Sequence, residues 1–265
     1  MPAMDTHTNR QQDQHFVVTG AGSGIGRAVA LRLAAEGANL SLLARGEPAL
    51  QETAQEARSY GARVFVESCD VRDRAKVDEV FARSAQELGP LRGVIANAGI
   101  GGVNKPGKDD RFDDLVAVNL TGSYNCLRAT QRHLSPGPEA RHMVLMSSIL
   151  ARIGVPGYTG YCASKTALMG LARAMAMELA GDNVQVNALC PGWVDTEMAW
   201  AGLRGLGAAL GVSAQEAHGV AMQDVPLGKM SKPEEIAGMI AWLVSDDALG
   251  VTGQGLDMNN GAFMI

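Results

Sequence analysis

Tyr161 and Lys165 offer the most direct chemistry in this chain. They stand four apart at the start of a long helical pattern, about one helical turn, so both side chains leave the same face. An ammonium beside a phenol favours the phenolate and lowers a tyrosine pKa from its usual value of about 10. Such a phenol donates and accepts protons near neutral pH. Ser148 precedes Tyr161 by thirteen residues and follows the apolar run Met143–Met146. That run reads as a buried strand, which puts Ser148 at its carboxyl end, where open α/β sheets carry their ligand crevice. A tyrosine and lysine at this spacing also occur as an ordinary surface pair, so the rest of the chain has to supply the site.

A glycine turn supplies the second part. Phe16–Thr19 reads as a short strand and is followed by Gly20-Ala21-Gly22-Ser23-Gly24-Ile25-Gly26. Arg27–Glu36 then shows helical apolar spacing, with Gly37 placed to end the helix. Strand, glycine turn and helix make a phosphate-binding unit, because bare backbone can approach a pyrophosphate and a helix N-terminus offers free N–H groups. Gly20, Ser23, Gly24, Ile25 and Gly26 are the candidates for that contact. The spacing is GxxxGxG, not the common GxGxxG, and a plain tight turn is the competing reading. The second strand, Asn39–Ala44, ends in Arg45, where a site for a free 2′-hydroxyl usually carries an acid. A guanidinium there welcomes a 2′-phosphate, so NADP(H) is favoured and NAD(H) stays open; the alternative is a solvated arginine opening the next helix.

The remaining elements must position these residues. Pro48–Tyr60 reads as a helix, Arg63–Glu67 as a third strand, and Cys69-Asp70-Val71 follows it. Asp70 could accept from an adenine amino group or cap the helix over Arg74–Leu88. Leu91–Ile95 is the fourth strand and leads into Ala96-Asn97-Ala98-Gly99, small residues that let the chain run close to a ligand or a neighbouring strand. After a glycine-containing loop, Phe112–His133 reads as one long helix carrying Asn119, which needs partners if buried: a bound water or an orphaned backbone group. The Tyr/Lys helix runs to Leu179 with Leu168, Leu171, Met175 and Leu179 as an apolar stripe for core or subunit contact. Val184–Leu189 is the sixth strand, and Pro191-Gly192-Trp193-Val194-Asp195-Thr196 turns sharply, with Val194 and Thr196 expected to face the crevice. Residues 197–226 are rich in Gly, Ala and Met, show helical patches without a strand, and read as a mobile substrate lid too loose for a rigid core helix. A helix from Pro233 to about Val244 and a strand Gly255–Met258 finish the pattern. Strand and helix alternate throughout, which predicts an α/β, doubly wound parallel sheet of the Rossmann type. No linker or repeat divides it, so one domain is expected over 15–265, after a polar tail at 1–14 expected to be mobile.

Composition sets bounds. With 265 residues, 46% of them apolar, the chain can fill a full α/β core. A net charge of −5 speaks against nucleic acid or an anionic membrane as the main partner. Cys69, Cys126, Cys162 and Cys190 are scattered without metal spacing, so no metal site is expected and reduced, structural thiols of a cytoplasmic protein are. Cys162 adjoins Tyr161 but points away from it, as a small packing residue. No apolar run has the length of a membrane span, and the first fourteen residues lack the apolar core of a signal peptide.

Taken together, TGAGSGIG at Thr19–Gly26, Asp70-Val71, ANAG at Ala96–Gly99, Asn119, Ser148, Tyr161 with Lys165, and PGWVDT at Pro191–Thr196 resemble the short-chain dehydrogenase/reductases of the single-domain type, from His15 to Gly261. Two departures stand out: Ala96 replaces the first asparagine of the usual NNAG, and Ser23 stands near where NADP-dependent members often carry a basic residue. The resemblance implies that Tyr161 protonates the carbonyl oxygen, Ser148 places it, Lys165 holds the nicotinamide ribose and depresses the Tyr161 pKa, and Asn119 anchors a proton-relay water. It implies cofactor contacts from Gly20, Ser23, Gly24, Ile25, Gly26, Arg45, Asp70, Val71, Asn97, Ala98, Gly99, Tyr161, Lys165, Pro191, Gly192, Val194 and Thr196. Ser148, Leu150, Ile153, Val155, Tyr158 and Trp193 are expected to wall the substrate pocket. Segments such as LLARGEPAL and VPLGKMSKPEEIAGMIAWLVSD are similar to those of 3-oxoacyl-carrier-protein reductases and polyketide ketoreductases, implying reduction of a 3-oxoacyl thioester or related ketone. Oxidation of a secondary alcohol (a sterol, diol or sugar alcohol) is the alternative within enzymes, and an NADP(H)-sensing regulator the alternative outside them. Relatives of this type form homotetramers or dimers, which is the assembly expected here.

Overall fold

Strands that are apolar on both faces can be buried only between two layers of helices, and that is the arrangement in the computed structural model, which describes residues 9–264. The strands are β1 (His15–Thr19), β2 (Asn39–Ala44), β3 (Val64–Ser68), β4 (Gly93–Ala96), β5 (Arg141–Met146), β6 (Val184–Pro191) and β7 (Gly255–Met258). They form one sheet in the order β3-β2-β1-β4-β5-β6-β7, and every pair is parallel. β1, β4, β5 and β6 are buried throughout, whereas the edge strands β3 and β7 are partly exposed. The strand order reverses between β1 and β4, the switch point at which ligands enter sheets of this kind.

Alternate strand residues feed two cores. Phe16 and Val18 pack with Val29 and Leu33 of α1 (Gly24–Ala35), Leu50 of α2 (Glu47–Ser59), and Ile236 and Ile240 of a late helix over Pro233–Leu243. Val17, Val94 and Met143 pack on the other face with Phe81 of α3 (Arg74–Leu88) and with Leu127 and Leu168. Leu168, Met175 and Leu179 of the apolar stripe are buried in this second core, so the stripe serves the core.

The long helix expected over Phe112–His133 is not continuous. It consists of α4 (Phe112–Val116), a π-helical turn (Ala117–Gly122) and α5 (Ser123–Gln131). The extra residue of the π turn falls where Asn119 leaves the helix to bond the loop at Ile100, and such turns gather at functional sites. α6 (Thr159–Leu179) carries Tyr161 and Lys165. The segment expected to be loose forms two regular helices, α7 (Glu197–Leu210) and α8 (Ala214–Gln223), and the Pro233–Leu243 helix is α9. Thr196 caps α7, Ser213 and Glu216 form a capping box on α8, and Leu203, Met222, Val225 and Met230 make a small core of their own. The glycines of α7 are offset by that anchorage, with Leu203 fully buried.

The polar tail expected to be mobile over 1–14 lies partly outside the described residues. From 9 to 14 it is a turn fastened to the domain. Arg10 pairs with the buried Glu36 at 2.9 Å, the Gln11 amide donates to the Glu36 carbonyl at 3.0 Å, and Gln11 Nε2 donates to the Val244 carbonyl at 3.1 Å. Those bonds satisfy the ends of α1 and α9, which would otherwise expose unpaired carbonyls.

Candidate active site

The glycine turn is built from both sides of the switch point. Thr19 Oγ1 accepts from the amides of Asn97 and Ala98 at 3.0 and 2.9 Å, and Asn97 Nδ2 donates to the Thr19 carbonyl at 2.9 Å. Asn97 therefore braces the turn. A Cβ on Gly26 would stand 2.2 Å from the Gly20 carbonyl oxygen, so the turn closes on itself only without a side chain there. Ser23 takes the extended conformation of an N-cap but its hydroxyl makes no capping bond, which leaves the first amides of α1 to a ligand.

Beside the turn lies a cavity of about 240 Å3. Six of the expected cofactor residues line it: Gly20, Arg45, Asp70, Val71, Ala98 and Gly99. Leu43, Ala44, Gly46, Cys69, Ile100 and Val118 also line it, and the sequence reading had not assigned them there. Most stand at the carboxyl ends of β2, β3 and β4, so strand order was the signal that could have found them. Apolar walls for a planar base, a glycine turn for a pyrophosphate and a guanidinium at the rim fit a dinucleotide. Asp70 differs from expectation: its carboxylate is taken up by Arg72, with Nη2–Oδ2 at 2.7 Å and Nε 3.1 Å from each oxygen. An adenine amino group would share this carboxylate with Arg72.

The residues after β6 divide. Pro191 ends the strand in the core, Gly192 N donates to the Met258 carbonyl at 3.0 Å, and Val194 is buried in the α1/α9 core. Val194 does not face the crevice as expected, because paired bonds between Trp193, Asp195 and Ser231 turn it inward. Thr196 does reach the glycine turn, its Cγ2 3.1 Å from the Cβ position of Gly24, but its hydroxyl is spent capping α7 and on the Val194 carbonyl.

At the carboxyl end of β5, Ser148 opens a short 3-10 turn with its Oγ accepting from Leu150 N at 3.2 Å. Ser147 Oγ donates to the Lys165 carbonyl at 2.9 Å and ties β5 to α6. Asn104, which the sequence reading missed, holds the start of α6: its Oδ1 accepts from Gly160 N at 2.9 Å and its Nδ2 donates to Thr159 Oγ1 at 2.9 Å. Only the loop before α4 marks it in the sequence. Lys165 is buried and its Nζ donates to the Met146 carbonyl at 2.8 Å, 5.6 Å from the centroid of the Tyr161 ring. Burial lowers its pKa to about 8.

Tyr161 corrects the sequence expectation. Its phenol is pushed above the ordinary tyrosine value by burial, with the Ser148 hydroxyl pulling the other way. Enclosure outweighs the lysine because the ammonium is turned to the Met146 carbonyl and lies beside the ring. Asn119 is fully buried and its side chain is occupied by protein: Oδ1 accepts from Ile100 N at 2.9 Å, and Nδ2 donates to the Ile100 carbonyl at 3.0 Å and to Ser164 Oγ at 3.1 Å. Of the two partners left open for it, the side chain takes the orphaned backbone group. The cavity and these residues meet at Gly99, whose Cβ position is 3.1 Å from Asn119 Oδ1 and 3.3 Å from Lys165 Nζ.

Of the expected pocket walls, Tyr158 stands edge-to-face with Tyr161 at 6.4 Å between centroids. Tyr158 and Trp193 each come within 3.9 Å of the Cβ position of Gly202 on α7, so the helical lid meets both. Met198 Sδ lies 3.1 Å from the Cβ position of Gly101, which is itself 3.7 Å from the Tyr161 ring; a side chain at 101 would crowd the lid. Leu150 contributes its backbone to Ser148, and Ile153 is partly exposed, with its carbonyl 3.8 Å from Cys162 Sγ. The four cysteines are free, and burial raises the thiol pKa of Cys69, Cys126 and Cys190.

Comparison with known proteins agrees with this geometry. A family model described as enoyl-(acyl carrier protein) reductase matches residues 20–262. A Streptomyces coelicolor protein named a ketoacyl reductase is 34% identical over 257 residues, 95% of this chain and 97% of its own. A 3-oxoacyl-acyl-carrier-protein reductase, FabG, of Thermotoga maritima is 32% identical over 95% of this chain and 98% of its own. The crystal structure of a variant actinorhodin polyketide ketoreductase with NADPH superposes with a TM-score of 0.88 at 32% identity, covering 96% of this chain and 98% of that one.

Proposed function

The chain belongs to the short-chain dehydrogenase/reductase family, and on that premise we propose that it reduces a 3-oxoacyl thioester or a related ketone with NADPH. It is a nicotinamide-dependent oxidoreductase; the ketone and the phosphorylated cofactor are the finer part of this reading. When bound, the cofactor supplies a hydride to the carbonyl carbon. Tyr161 gives its proton to the oxygen as negative charge develops there, and a phenol kept protonated by burial is suited to that direction. Ser148 donates to the same oxygen and fixes its place. Lys165, at the meeting point of cavity and catalytic face, holds the ribose and supplies positive charge. Asn119 keeps the loop at Ile100 against α6. The helical lid, through Met198 packed against Gly101 and Gly202 packed against Tyr158 and Trp193, excludes water from the reacting centre.

One observation carries this reading: two hydroxyls, Ser148 and Tyr161, converge beside a buried lysine near the cavity that adjoins the glycine turn. A hydroxyl pair beside the cofactor cavity suits protonation and placement of a ketone oxygen. The names of the relatives support the acyl thioester. We place the protein in the cytoplasm, in keeping with its four free cysteines, and assemble it as a homotetramer or dimer, as the family resemblance implies. No described helix is long and apolar enough to cross a membrane.

The test is a paired titration with NADPH and NADH followed by nucleotide fluorescence, then addition of 3-oxoacyl thioesters and cyclic ketones. NADPH oxidation by a thioester is the expected result. Tighter NADH binding with turnover of secondary alcohols would move the protein to alcohol oxidation, and binding without turnover of any ketone would favour a sensor.

A further inference from the structure

Helix α6 begins without a cap of its own. Tyr158 stands at its N-cap position and makes no side-chain bond to the first turn, so the amides there need partners from elsewhere. Asn104 supplies one from the loop before α4. It is buried, and its side chain is spent on this junction. Oδ1 accepts from Gly160 N at 2.9 Å, Thr159 Oγ1 lies within 3.1 Å of both amide atoms, and Nδ2 also donates to Asp110 Oδ1 at 3.1 Å. Asp110 Oδ1 in turn accepts from Phe112 N at 3.0 Å, where α4 begins. The backbone follows, with Asn104 N donating to the Gly157 carbonyl at 2.9 Å. Among the described residues, no other side chain accepts from the backbone amides of this turn. Gly160 lets α4 close on it, since its Cβ position is 3.0 Å from Leu115 Cδ1 and 3.1 Å from Phe112 Cα.

Tyr161 follows Gly160 directly, so the residue that fixes Gly160 fixes where the phenol leaves the helix. Lys165 is held by other means. Its carbonyl accepts from Ser147 Oγ, its Nζ donates to the Met146 carbonyl, and its neighbour Ser164 accepts from Asn119. We infer that Asn104 is a positioning residue for the reduction, setting the Tyr161 phenol without contributing to the hold on the nucleotide. The catalytic pair is thus anchored twice: the turn of the acid to the loop before α4, the turn of the lysine to β5 and Asn119. The same loop carries Gly101, whose Cβ position is 3.7 Å from the Tyr161 ring and 3.1 Å from Met198 of the lid. A shift of the loop therefore reaches the phenol both through its backbone and across its ring.

This rests on the reading of Tyr161 as the acid, and the experiment separates the two. The wild type, Asn104→Ala, Asn104→Asp, the Asn104→Asp/Asp110→Asn pair and Tyr161→Phe are compared. The NADPH dissociation constant, the thermal midpoint, and kcat and KM with a 3-oxobutanoyl thioester of coenzyme A are measured, well below each midpoint. Asn104→Ala is expected to lower kcat about ten- to a hundredfold, the cost of a small misplacement at a reacting centre. It should change the NADPH dissociation constant by less than about twofold, because the anchors of the lysine are untouched. Amide exchange over 158–164 should quicken in this variant while that over 165–179 does not. Asn104→Asp keeps an acceptor for Gly160 N but sets two carboxylates against one another, so it should also lose turnover. Adding Asp110→Asn gives that carboxylate a donor again and should return kcat to within about threefold of wild type. A normal kcat in Asn104→Ala despite quickened exchange, an equal loss of nucleotide affinity, or failure of Asp110→Asn to recover turnover would overturn the inference and leave Tyr161 as the acid. Full activity of Tyr161→Phe, or a wild type that turns over no ketone or thioester, would overturn both.

Discussion

Lys165 donates to the carbonyl of Met146 at 2.8 Å, and its ammonium lies over the ring of Tyr161 without bonding the phenol oxygen. The two residues share a helical face, as their spacing requires, yet β5 has captured the charge through a strand carbonyl. Burial then sets both pKa values, lowering the lysine to about 8 and raising the tyrosine.

Nucleotide affinity should therefore depend on pH through Lys165. Its ammonium is present below about pH 8 and lost above it. The NADPH dissociation constant is expected to rise between pH 7 and 9 with a midpoint near 8, followed by fluorescence titration. Lys165→Met should bind more weakly at pH 7 and show a flat profile; an unchanged profile would place the titrating group elsewhere.

Tyr161→Phe should keep nucleotide affinity within about threefold and lose about two to four orders of magnitude in kcat, the usual worth of a positioned acid. Ser148→Ala should slow turnover as well, and it should move the alkaline limb of the pH–rate profile upward, because the Ser148 hydroxyl lowers the Tyr161 pKa. Activity of Tyr161→Phe within a few-fold of wild type would remove it as the acid.

Asn119→Ala should destabilise the fold by about 2–4 kcal/mol in urea unfolding. It strands the amide and carbonyl of Ile100 inside the protein, each unpaired buried group costing about 1–3 kcal/mol. A loss of turnover with unchanged stability would show that the side chain serves chemistry and not the loop.

Acid should weaken the protein through two buried histidines. His15 is lowered to about 4 and His142 to about 3, each mainly by burial. The unfolded chain takes up protons below about pH 6.5 while the folded one stays neutral. Stability is thus full above pH 6.5 and falls as pH drops toward 4, by about 1.4 kcal/mol per pH unit for each histidine. His15 has partners in the Gly89 carbonyl and Ser41, whereas both ring nitrogens of His142 have none. His142→Leu should therefore be neutral or stabilising at pH 7 and remove about half of the acid slope, measured by denaturant unfolding between pH 4 and 7; a large loss of stability at pH 7 would mean the ring has a partner.

The alternation of strand and helix, the glycine turn and the Ser148–Tyr161–Lys165 set are legible in the sequence because each depends on local spacing. Buried strands show as apolar runs, and a turn that excludes Cβ atoms shows as glycine. What was not legible depends on which way a long polar side chain swings. Nothing in Asp70-Val71-Arg72 says that the arginine folds back on the aspartate, or that Lys165 chooses a carbonyl over a phenol. Val194 looked crevice-facing from its place after Pro-Gly, and the pairing with Ser231, thirty-odd residues away, reversed it. The lid looked loose because its glycines are visible in sequence and its private core around Leu203 is not.

The root of that lid is held by the residues that follow β7. Leu227 N donates to the Asn260 carbonyl, Asn260 Nδ2 donates to the Lys229 carbonyl and to Ser231 Oγ, and Ala262 packs against the lid core. These residues follow β7, whereas the glycine turn follows β1, so they are synthesised after it. A nascent chain emerging from the ribosome can thus complete its nucleotide-binding half well before the wall over the substrate has anything to fasten to. Substrate enclosure is therefore a later event of biosynthesis than assembly of the glycine turn.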